Sequence, residues 1–129
     1  MARPRRRFGQ HFLTNPVILE RIVDALDPGP EDAVLEIGPG PGALTDALLR
    51  RGARVTGIEI DRDLVAQLRQ RCAGARIVEG DALALDWHTI VAPGAPGAWL
   101  LAGNIPYNIT SPLLDKALTP PRPRRVGFL

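Results

Sequence analysis

The nine residues Val34-Leu35-Glu36-Ile37-Gly38-Pro39-Gly40-Pro41-Gly42 decide how the rest of this sequence is interpreted. They begin as a short apolar run that holds one carboxylate, and they end in three glycines at alternate positions. An apolar run that leads directly into a glycine loop is typical of a buried strand that turns sharply into a helix. Glycine is needed where the backbone adopts a positive φ or passes close to a ligand. The stretch therefore predicts the first strand of an α/β sheet, with a ligand site outside its carboxyl end.

The residues between the glycines indicate which ligand this loop binds. Residues 38–43 fit the G-x-G-x-x-[G/A] pattern of dinucleotide-binding loops. Pro39 and Pro41, however, have no N–H group to donate to a phosphate, and Glu36 places a negative charge beside the ligand. The stretch therefore favours S-adenosylmethionine, which carries a sulfonium charge and no phosphate, over NAD. A tight turn that binds no ligand is a further alternative.

Length and composition narrow the class of protein. The chain has 129 residues, enough for one domain, and 45% of them are hydrophobic, which is ordinary for a soluble globular protein. No apolar run approaches the roughly 18 residues of a membrane-spanning helix, and the basic N-terminus leads into no signal-peptide core. The single cysteine, Cys72, excludes an internal disulfide and a cysteine-rich metal site, and we interpret it as a thiol at a helix end. We expect a cytoplasmic monomer with no metal site and no membrane association.

The basic residues are concentrated at the two ends of the chain. The net charge is +2. Residues 1–14 and residues 116–129 each carry four basic residues and no acid, whereas residues 15–115 carry eight arginines and fourteen acids, a balance of −6. An acidic centre between basic ends fits a cationic ligand in the middle and a polyanion at the ends. Two solvated basic tails are the alternative interpretation.

The order of apolar runs and helix signals predicts an α/β, Rossmann-like fold, with a basic arm at residues 1–14 and one domain at residues 15–129. Asn15-Pro16 and Ser111-Pro112 each supply the N-cap and first-turn residues of a helix, and Asp61 is expected to cap another. Helices are predicted after the first, second and fourth strands. The predicted strands cover residues 33–37, 54–60, 75–79, 99–102 and 124–129.

Residues 86–97 are predicted to form a loop, because proline and glycine are frequent among them. Trp87 and His88 lie in this segment. Neither has a partner at the spacing of a ligand set or a catalytic pair, so we interpret both side chains as structural.

Polar residues stand where the predicted strands end. Glu59 lies 21 residues after Gly38, about where an acid binds the two hydroxyls of a ribose; a surface acid is the alternative. Asp81 follows the third strand, and its carboxylate can accept a hydrogen bond from an adenine amino group. Asn104 follows the fourth strand. Because the carboxyl ends of parallel strands meet at one edge of a sheet, we expect these residues to surround one ligand.

Five motifs follow one another along the sequence: Phe8-Gly9-Gln10-His11-Phe12-Leu13, Glu36-Ile37-Gly38-Pro39-Gly40-Pro41-Gly42, Glu59-Ile60-Asp61, Gly80-Asp81-Ala82 and Asn104-Ile105-Pro106-Tyr107-Asn108. Taken together and in order, they resemble the ribosomal RNA adenine dimethylases, from about Arg7 to the last residue. This family dimethylates two adjacent adenines near the 3′ end of small-subunit ribosomal RNA. The resemblance implies a class I S-adenosylmethionine-dependent methyltransferase fold, truncated here after about five strands. It also implies small-subunit ribosomal RNA, or the immature small ribosomal subunit, as the partner.

The resemblance assigns a cofactor role to residues in each motif. The first motif matches a segment that closes over the cofactor. The second motif matches the loop that passes the methionine part of the cofactor. The third motif matches the contact with the ribose, and the fourth matches the contact with the adenine. His11 stands where asparagine is common in the family, so a backbone contact is expected there. The implied cofactor-binding residues are Gln10, His11, Leu13, Glu36, Gly38, Gly40, Glu59, Asp81 and Asn104.

The last motif matches the one that methylates an amino group, and its residue types suit that reaction. The lone pair of adenine N6 is delocalised into the ring, which makes the nitrogen a poor nucleophile. The Asn104 side-chain oxygen and the Ile105 carbonyl can accept the two N6 hydrogens, and Pro106 turns the chain so that both acceptors face one point. Tyr107 can stack on the splayed base, worth roughly 1–3 kcal/mol. The alternative interpretation of this motif is an ordinary turn from a strand to a helix, without a catalytic role.

Other functions remain open from the sequence. A DNA adenine methylase usually has two prolines before the aromatic residue, and here Ile105 takes the first place. A nucleic-acid-binding factor of the same fold without catalysis would have no need of Glu59, Asp81 and Asn104 together. The family has further strands and a small helical domain after this point, so we expect weak or no dimethylation by this chain alone.

Overall fold

A computed structural model of the chain describes residues 15–91, 98–103 and 110–128. Helices and strands alternate along most of these residues. The helices are α1 (Pro16–Leu26), α2 (Ala43–Arg50), α3 (Arg62–Arg71), α4 (Trp87–Val91) and α5 (Thr110–Leu118). The strands are β1 (Ala33–Ile37), β2 (Arg54–Glu59), β3 (Arg76–Glu79), β4 (Trp99–Gly103) and β5 (Arg125–Phe128).

The strands form one parallel sheet in the order β3-β2-β1-β4-β5. β1 lies at the centre and all of its residues are buried, as expected for a parallel sheet covered by helices on both faces. The chain crosses from one half of the sheet to the other between β3 and β4, so β1 and β4 flank the switch point at which α/β folds bind ligands. The Rossmann-like arrangement predicted from the sequence is confirmed.

Apolar side chains fill the space above and below the sheet, because successive residues of a strand point to opposite faces. Val34 contributes to the core under α1 and α2, together with Leu44 and Leu48. Leu35 contributes to the opposite core, which also contains the indoles of Trp87 and Trp99. The two rings meet edge to face with their centroids 6.3 Å apart. Both faces of β1 are therefore sealed from water.

Side-chain caps begin two of the helices at the predicted residues. Asn15 Oδ1 accepts from the Val17 N–H at 2.9 Å at the start of α1. Asp61 Oδ1 accepts from the Asp63 N–H at 2.9 Å at the start of α3. Such a cap satisfies an N–H group that has no partner within the helix, and it is worth about 1 kcal/mol.

The prediction of a loop over residues 86–97 is wrong for its first part, where α4 forms. Asp86 starts this helix, since its carboxylate accepts from the His88 N–H at 3.1 Å and from the Thr89 hydroxyl at 2.8 Å. Trp87 is buried, and its indole N–H donates to the Ala82 carbonyl at 2.8 Å. His88 Nε2 lies 3.0 Å from the Pro121 carbonyl oxygen. These contacts agree with structural roles for Trp87 and His88.

Cys72 closes α3 and is buried, in agreement with a thiol at a helix end. Burial and the neighbouring Asp46 carboxylate raise the pKa of this thiol to about 11, so it stays protonated at neutral pH. Within residues 15–91, 98–103 and 110–128, no cluster of histidine, cysteine and acidic residues is arranged to hold a metal ion. In the same ranges every helix is too short or too polar to cross a membrane.

Candidate functional site

Backbone hydrogen bonds and close packing bring four strand ends to one edge of the sheet. The Gly38 N–H donates to a carbonyl near the end of β2 at 2.8 Å, and the Gly80 N–H donates to the Glu59 carbonyl at 3.0 Å. At the end of β4, Gly103 pairs with Ile37. A Cβ atom on Gly103 would lie 2.7 Å from the Ile37 carbonyl oxygen, so only glycine allows this approach. The edge predicted to surround a ligand is therefore assembled.

The glycine loop that follows β1 is held by three neighbouring elements. Gly42 has a φ of +96° and is the N-cap of α2. The Pro39 ring covers Gly57 of β2, where an added Cβ would lie 2.7 Å from Pro39 Cγ. The guanidinium of Arg71, at the end of α3, donates to the Pro41 carbonyl at 2.7 Å. The loop is thus a fixed part of the sheet edge.

The N–H groups of this loop are already used within the protein. Pro39 and Pro41 have none. The Gly38 N–H donates to the Ile58 carbonyl at 2.8 Å, and the Gly40 N–H donates to the Glu59 carboxylate at 3.1 Å. The Gly42 N–H donates to the Pro39 carbonyl at 3.0 Å. The loop therefore offers no N–H group to a pyrophosphate, which argues against a dinucleotide.

Glu59 lies at the end of β2, as predicted, with only 1% of its surface exposed. Its Oε1 accepts from the Gly40 N–H at 3.1 Å and its Oε2 accepts from the Asp61 N–H at 3.0 Å. Each carboxylate oxygen can accept more than one hydrogen bond, so these contacts are compatible with a ribose hydroxyl pair. The carboxylate also joins the glycine loop to the end of β2.

Glu36 is buried in the middle of the sheet, with 1% of its surface exposed. Its Oε1 accepts from the hydroxyl of the equally buried Thr45 in α2 at 2.5 Å. Its Oε2 has no hydrogen-bond partner among the described residues. Burial, opposed in part by the Thr45 hydrogen bond, raises the pKa of Glu36 from 4.5 to about 7. From the sequence, Glu36 is expected to carry a negative charge beside the ligand. In the structure, the charge of Glu36 depends on the pH near neutrality.

This raised pKa predicts how the stability of the ligand-free protein changes with pH. Because folded Glu36 holds its proton more tightly than the unfolded chain does, the free energy of unfolding should fall as the pH rises from about 4.5 to about 7. At 1.36 kcal/mol per pKa unit, the fall is about 3 kcal/mol at most. Glu36→Gln does not titrate and should lack this fall.

Urea unfolding at pH 5 and pH 8 measures the difference. Glu31→Gln is the control, because the Glu31 side chain is 82% exposed and should leave the fall unchanged. An equal fall in wild type and Glu36→Gln would contradict the assignment of this effect to Glu36.

Asp81 follows β3 and is exposed, with its Oδ1 accepting from the Leu83 N–H at 2.9 Å. The Gly80 hydrogen bond to Glu59 places it beside the end of β2. Ile60, which was not among the predicted site residues, directly follows Glu59 and has 66% of its surface exposed. An apolar side chain at the edge of the sheet where a ligand is expected can pack on the flat face of a base. Its position in the Glu59-Ile60-Asp61 motif was the available signal.

The remaining site residues of the sequence analysis lie outside the described residues. They belong to two segments, the N-terminal arm and the stretch that directly follows β4. The structure does not test them, and their roles stay predictions. They are Gln10, His11, Leu13, Asn104, Ile105, Pro106 and Tyr107.

Comparison with known families agrees with this arrangement. The family model for ribosomal RNA adenine dimethylase matches residues 1–129. The chain belongs to this family. The resemblance seen in the five motifs is thereby confirmed, and so is the class I methyltransferase fold.

Individual proteins that are similar to this chain support the same conclusion. The ribosomal RNA small subunit methyltransferase A of Methylococcus capsulatus is 52% identical over 115 residues, which are 86% of this chain and 43% of that protein. Among solved structures, the 23S rRNA methyltransferase ErmE is similar with a TM-score of 0.72 and 35% identity, covering 84% of this chain and 43% of that one. A dimethyladenosine transferase from Plasmodium falciparum has a TM-score of 0.70 and 36% identity, covering 84% and 38%. The chain thus spans less than half the length of these relatives.

Proposed function

We propose that this chain forms the S-adenosylmethionine-binding part of an enzyme that dimethylates N6 of two adjacent adenines near the 3′ end of small-subunit ribosomal RNA. The proposal depends on the glycine loop. Its two prolines have no N–H group, the N–H groups of its three glycines donate to acceptors within the protein, and the buried acid Glu36 lies just before it in β1. Such a loop suits a cofactor with positive charge and no phosphate. Family membership supplies the reaction class.

The residues described at the sheet edge fit S-adenosylmethionine in chemical type. Glu36 Oε2 is a buried oxygen without a partner among the described residues, which a positively charged group would satisfy. Glu59 presents a carboxylate at the position of a ribose-binding acid. Exposed Ile60 and Asp81 offer an apolar surface and an acceptor for an adenine ring and its amino group.

The residues after β4 would hold the target base. When bound, S-adenosylmethionine supplies a methyl group on a positively charged sulfur, which adenine N6 attacks in line. Asn104 and the Ile105 carbonyl would accept the N6 hydrogens and so favour a tetrahedral nitrogen, and Tyr107 would stack on the base. Positioning and electrostatics would then supply the rate enhancement without a strong base.

The names of the relatives favour the small ribosomal subunit as the partner. The Methylococcus capsulatus protein, at 52% identity, is named for the small subunit, whereas ErmE, at 35% identity, is named for 23S rRNA. The basic N-terminal arm, with four arginines in residues 1–14, suits contact with a polyanion. We propose action on the immature subunit, by a monomer in the cytoplasm.

Two titrations followed by one assay test this function. The protein extended to the full length of its relatives is titrated with S-adenosylmethionine and with NADH, and methyl transfer to undermethylated small ribosomal subunits is then measured. We expect binding of S-adenosylmethionine, no binding of NADH and transfer to adenine N6. Binding of NADH without S-adenosylmethionine would overturn the proposal, and transfer to another atom or only to large-subunit RNA would refute the assigned substrate.

A further inference from the structure

The carboxyl group of Glu36 is held in an asymmetric environment. Thr45 lies on the first turn of α2 and is fully buried, and its hydroxyl donates to Oε1. The second oxygen, Oε2, has no partner within the described ranges. A buried oxygen in this position carries either a proton with no acceptor or a negative charge with no donor, and both are unfavourable. The environment is therefore incomplete without a further group.

Burial is the main reason that Glu36 favours its protonated form, and the charges around it add to this effect. Glu59 at the end of β2 and Asp46 of α2 both raise its pKa. Cys72 of α3 also faces it, but this thiol remains protonated at neutral pH. β4 carries no titratable side chain between Trp99 and Gly103. Because burial and these acids oppose a negative charge, the protonated form of Glu36 is favoured below about pH 7 until a positive charge arrives.

We propose that Glu36 holds a proton in the ligand-free protein and releases it to solvent when S-adenosylmethionine binds, and that Thr45 is the positioning residue that fixes Oε1 and leaves Oε2 for the ligand. This inference rests on the proposed cofactor. The O–H bond of the carboxyl group breaks, the proton passes to water or buffer, and the carboxylate stays to balance the positive charge of the ligand. Binding and proton release are then one linked equilibrium.

The linkage has a definite sign. A group that loses its proton on binding makes the affinity rise with pH, up to the pKa of the ligand-free form. That pKa is about 7 for Glu36. The affinity for S-adenosylmethionine should therefore be about ten-fold higher at pH 8 than at pH 6, and binding at pH 7 should release about half a proton.

Isothermal titration calorimetry of the full chain measures both quantities. At pH 7, titrations in buffers of different ionisation enthalpy count the released protons in wild type, without any substitution. Glu36→Gln mimics the protonated carboxyl group, so it should release no proton from this site and should show a flat profile between pH 6 and pH 8. Any titration of the ligand itself is common to both proteins and cancels in the comparison.

Variants of Thr45 test its positioning role. Thr45→Val keeps the side-chain shape but removes the hydroxyl that stabilises the carboxylate, so the midpoint of the pH profile should move upward by several tenths of a pH unit or more. Thr45→Ser keeps the hydroxyl and should restore the wild-type midpoint. Circular dichroism at pH 6 and pH 8 confirms that each variant is folded.

The outcomes separate this inference from the function on which it rests. If wild type binds S-adenosylmethionine with no proton release and a flat pH profile, the inference is wrong while the proposed cofactor stands. If Glu36→Gln keeps the wild-type profile, the proton comes from another group and the inference is also wrong. If wild type binds no S-adenosylmethionine at any pH, the proposed function itself fails. An unmoved midpoint in Thr45→Val would remove the role of Thr45.

Discussion

Glu59→Ala is expected to weaken the binding of S-adenosylmethionine by on the order of 100-fold, or about 2.7 kcal/mol. Two effects combine in this loss. The variant lacks the carboxylate that we propose for the ribose hydroxyls, and charge-assisted hydrogen bonds are worth about 1.5–3 kcal/mol each. It also lacks the acceptor for the Gly40 and Asp61 N–H groups. In wild type, the hydrogen bond from Gly40 to this acceptor fixes the glycine loop to β2.

Isothermal titration calorimetry measures the affinity, and hydrogen exchange at the Gly40 amide reports on the loop. Glu79→Ala is the matched control, because Glu79 is the register partner of Glu59 on the neighbouring strand and its side chain is 42% exposed. It should change the affinity less than about two-fold, as exposed acids contribute little. Wild-type affinity in Glu59→Ala would contradict the role of Glu59 in the cofactor site.

Asn104→Ala is expected to lower methyl transfer by on the order of 1,000-fold or more, as for an interaction made mainly in the transition state. Cofactor binding should stay largely intact, because Asn104 is only one of the nine implied cofactor contacts. The physical reason is that alanine cannot accept an N6 hydrogen, so the nitrogen lone pair stays delocalised in the ring. Tritiated methyl groups on undermethylated small ribosomal subunits, assayed with the protein extended to the full length of its relatives, detect slow transfer.

Asn108→Ala supplies the comparison for this variant, since it removes the same type of side chain from the same motif outside the proposed acceptor pair. It should retain most of the transfer rate. Full transfer by Asn104→Ala, or an equal loss in both variants, would show that Asn104 does not act on the target amino group.

Much of the fold could be predicted because its signals are local. Asn15 and Asp61 cap their helices through N–H groups two residues away, which a sequence shows directly. The apolar run of β1 reflects burial on both faces of the sheet. The grouping of Gly38, Glu59 and Asp81 at one edge of the sheet could be predicted from the rule that parallel strands end on the same side.

The missed features depend on contacts between distant residues or on very short elements. α4 has 5 residues, too few for a helical repeat to be visible, and it depends on the Asp86 cap and a buried tryptophan. The Thr45 hydrogen bond that fixes Glu36 spans nine positions and crosses from a helix to a strand. The internal bonds of Glu59 were also hidden, since a sequence shows that an acid is present but not what it already binds.

The central position of β1 also affects how the chain is synthesised. β1 pairs with β2 on one side and with β4 on the other, and β4 begins at Trp99, long after β1 ends at Ile37. At about 5–20 residues per second, translation of the intervening segment takes several seconds. During that time one edge of a strand whose residues are all buried in the folded protein has no partner, and such an edge readily pairs with other chains. The nascent protein should therefore depend on ribosome-associated chaperones until β4 emerges.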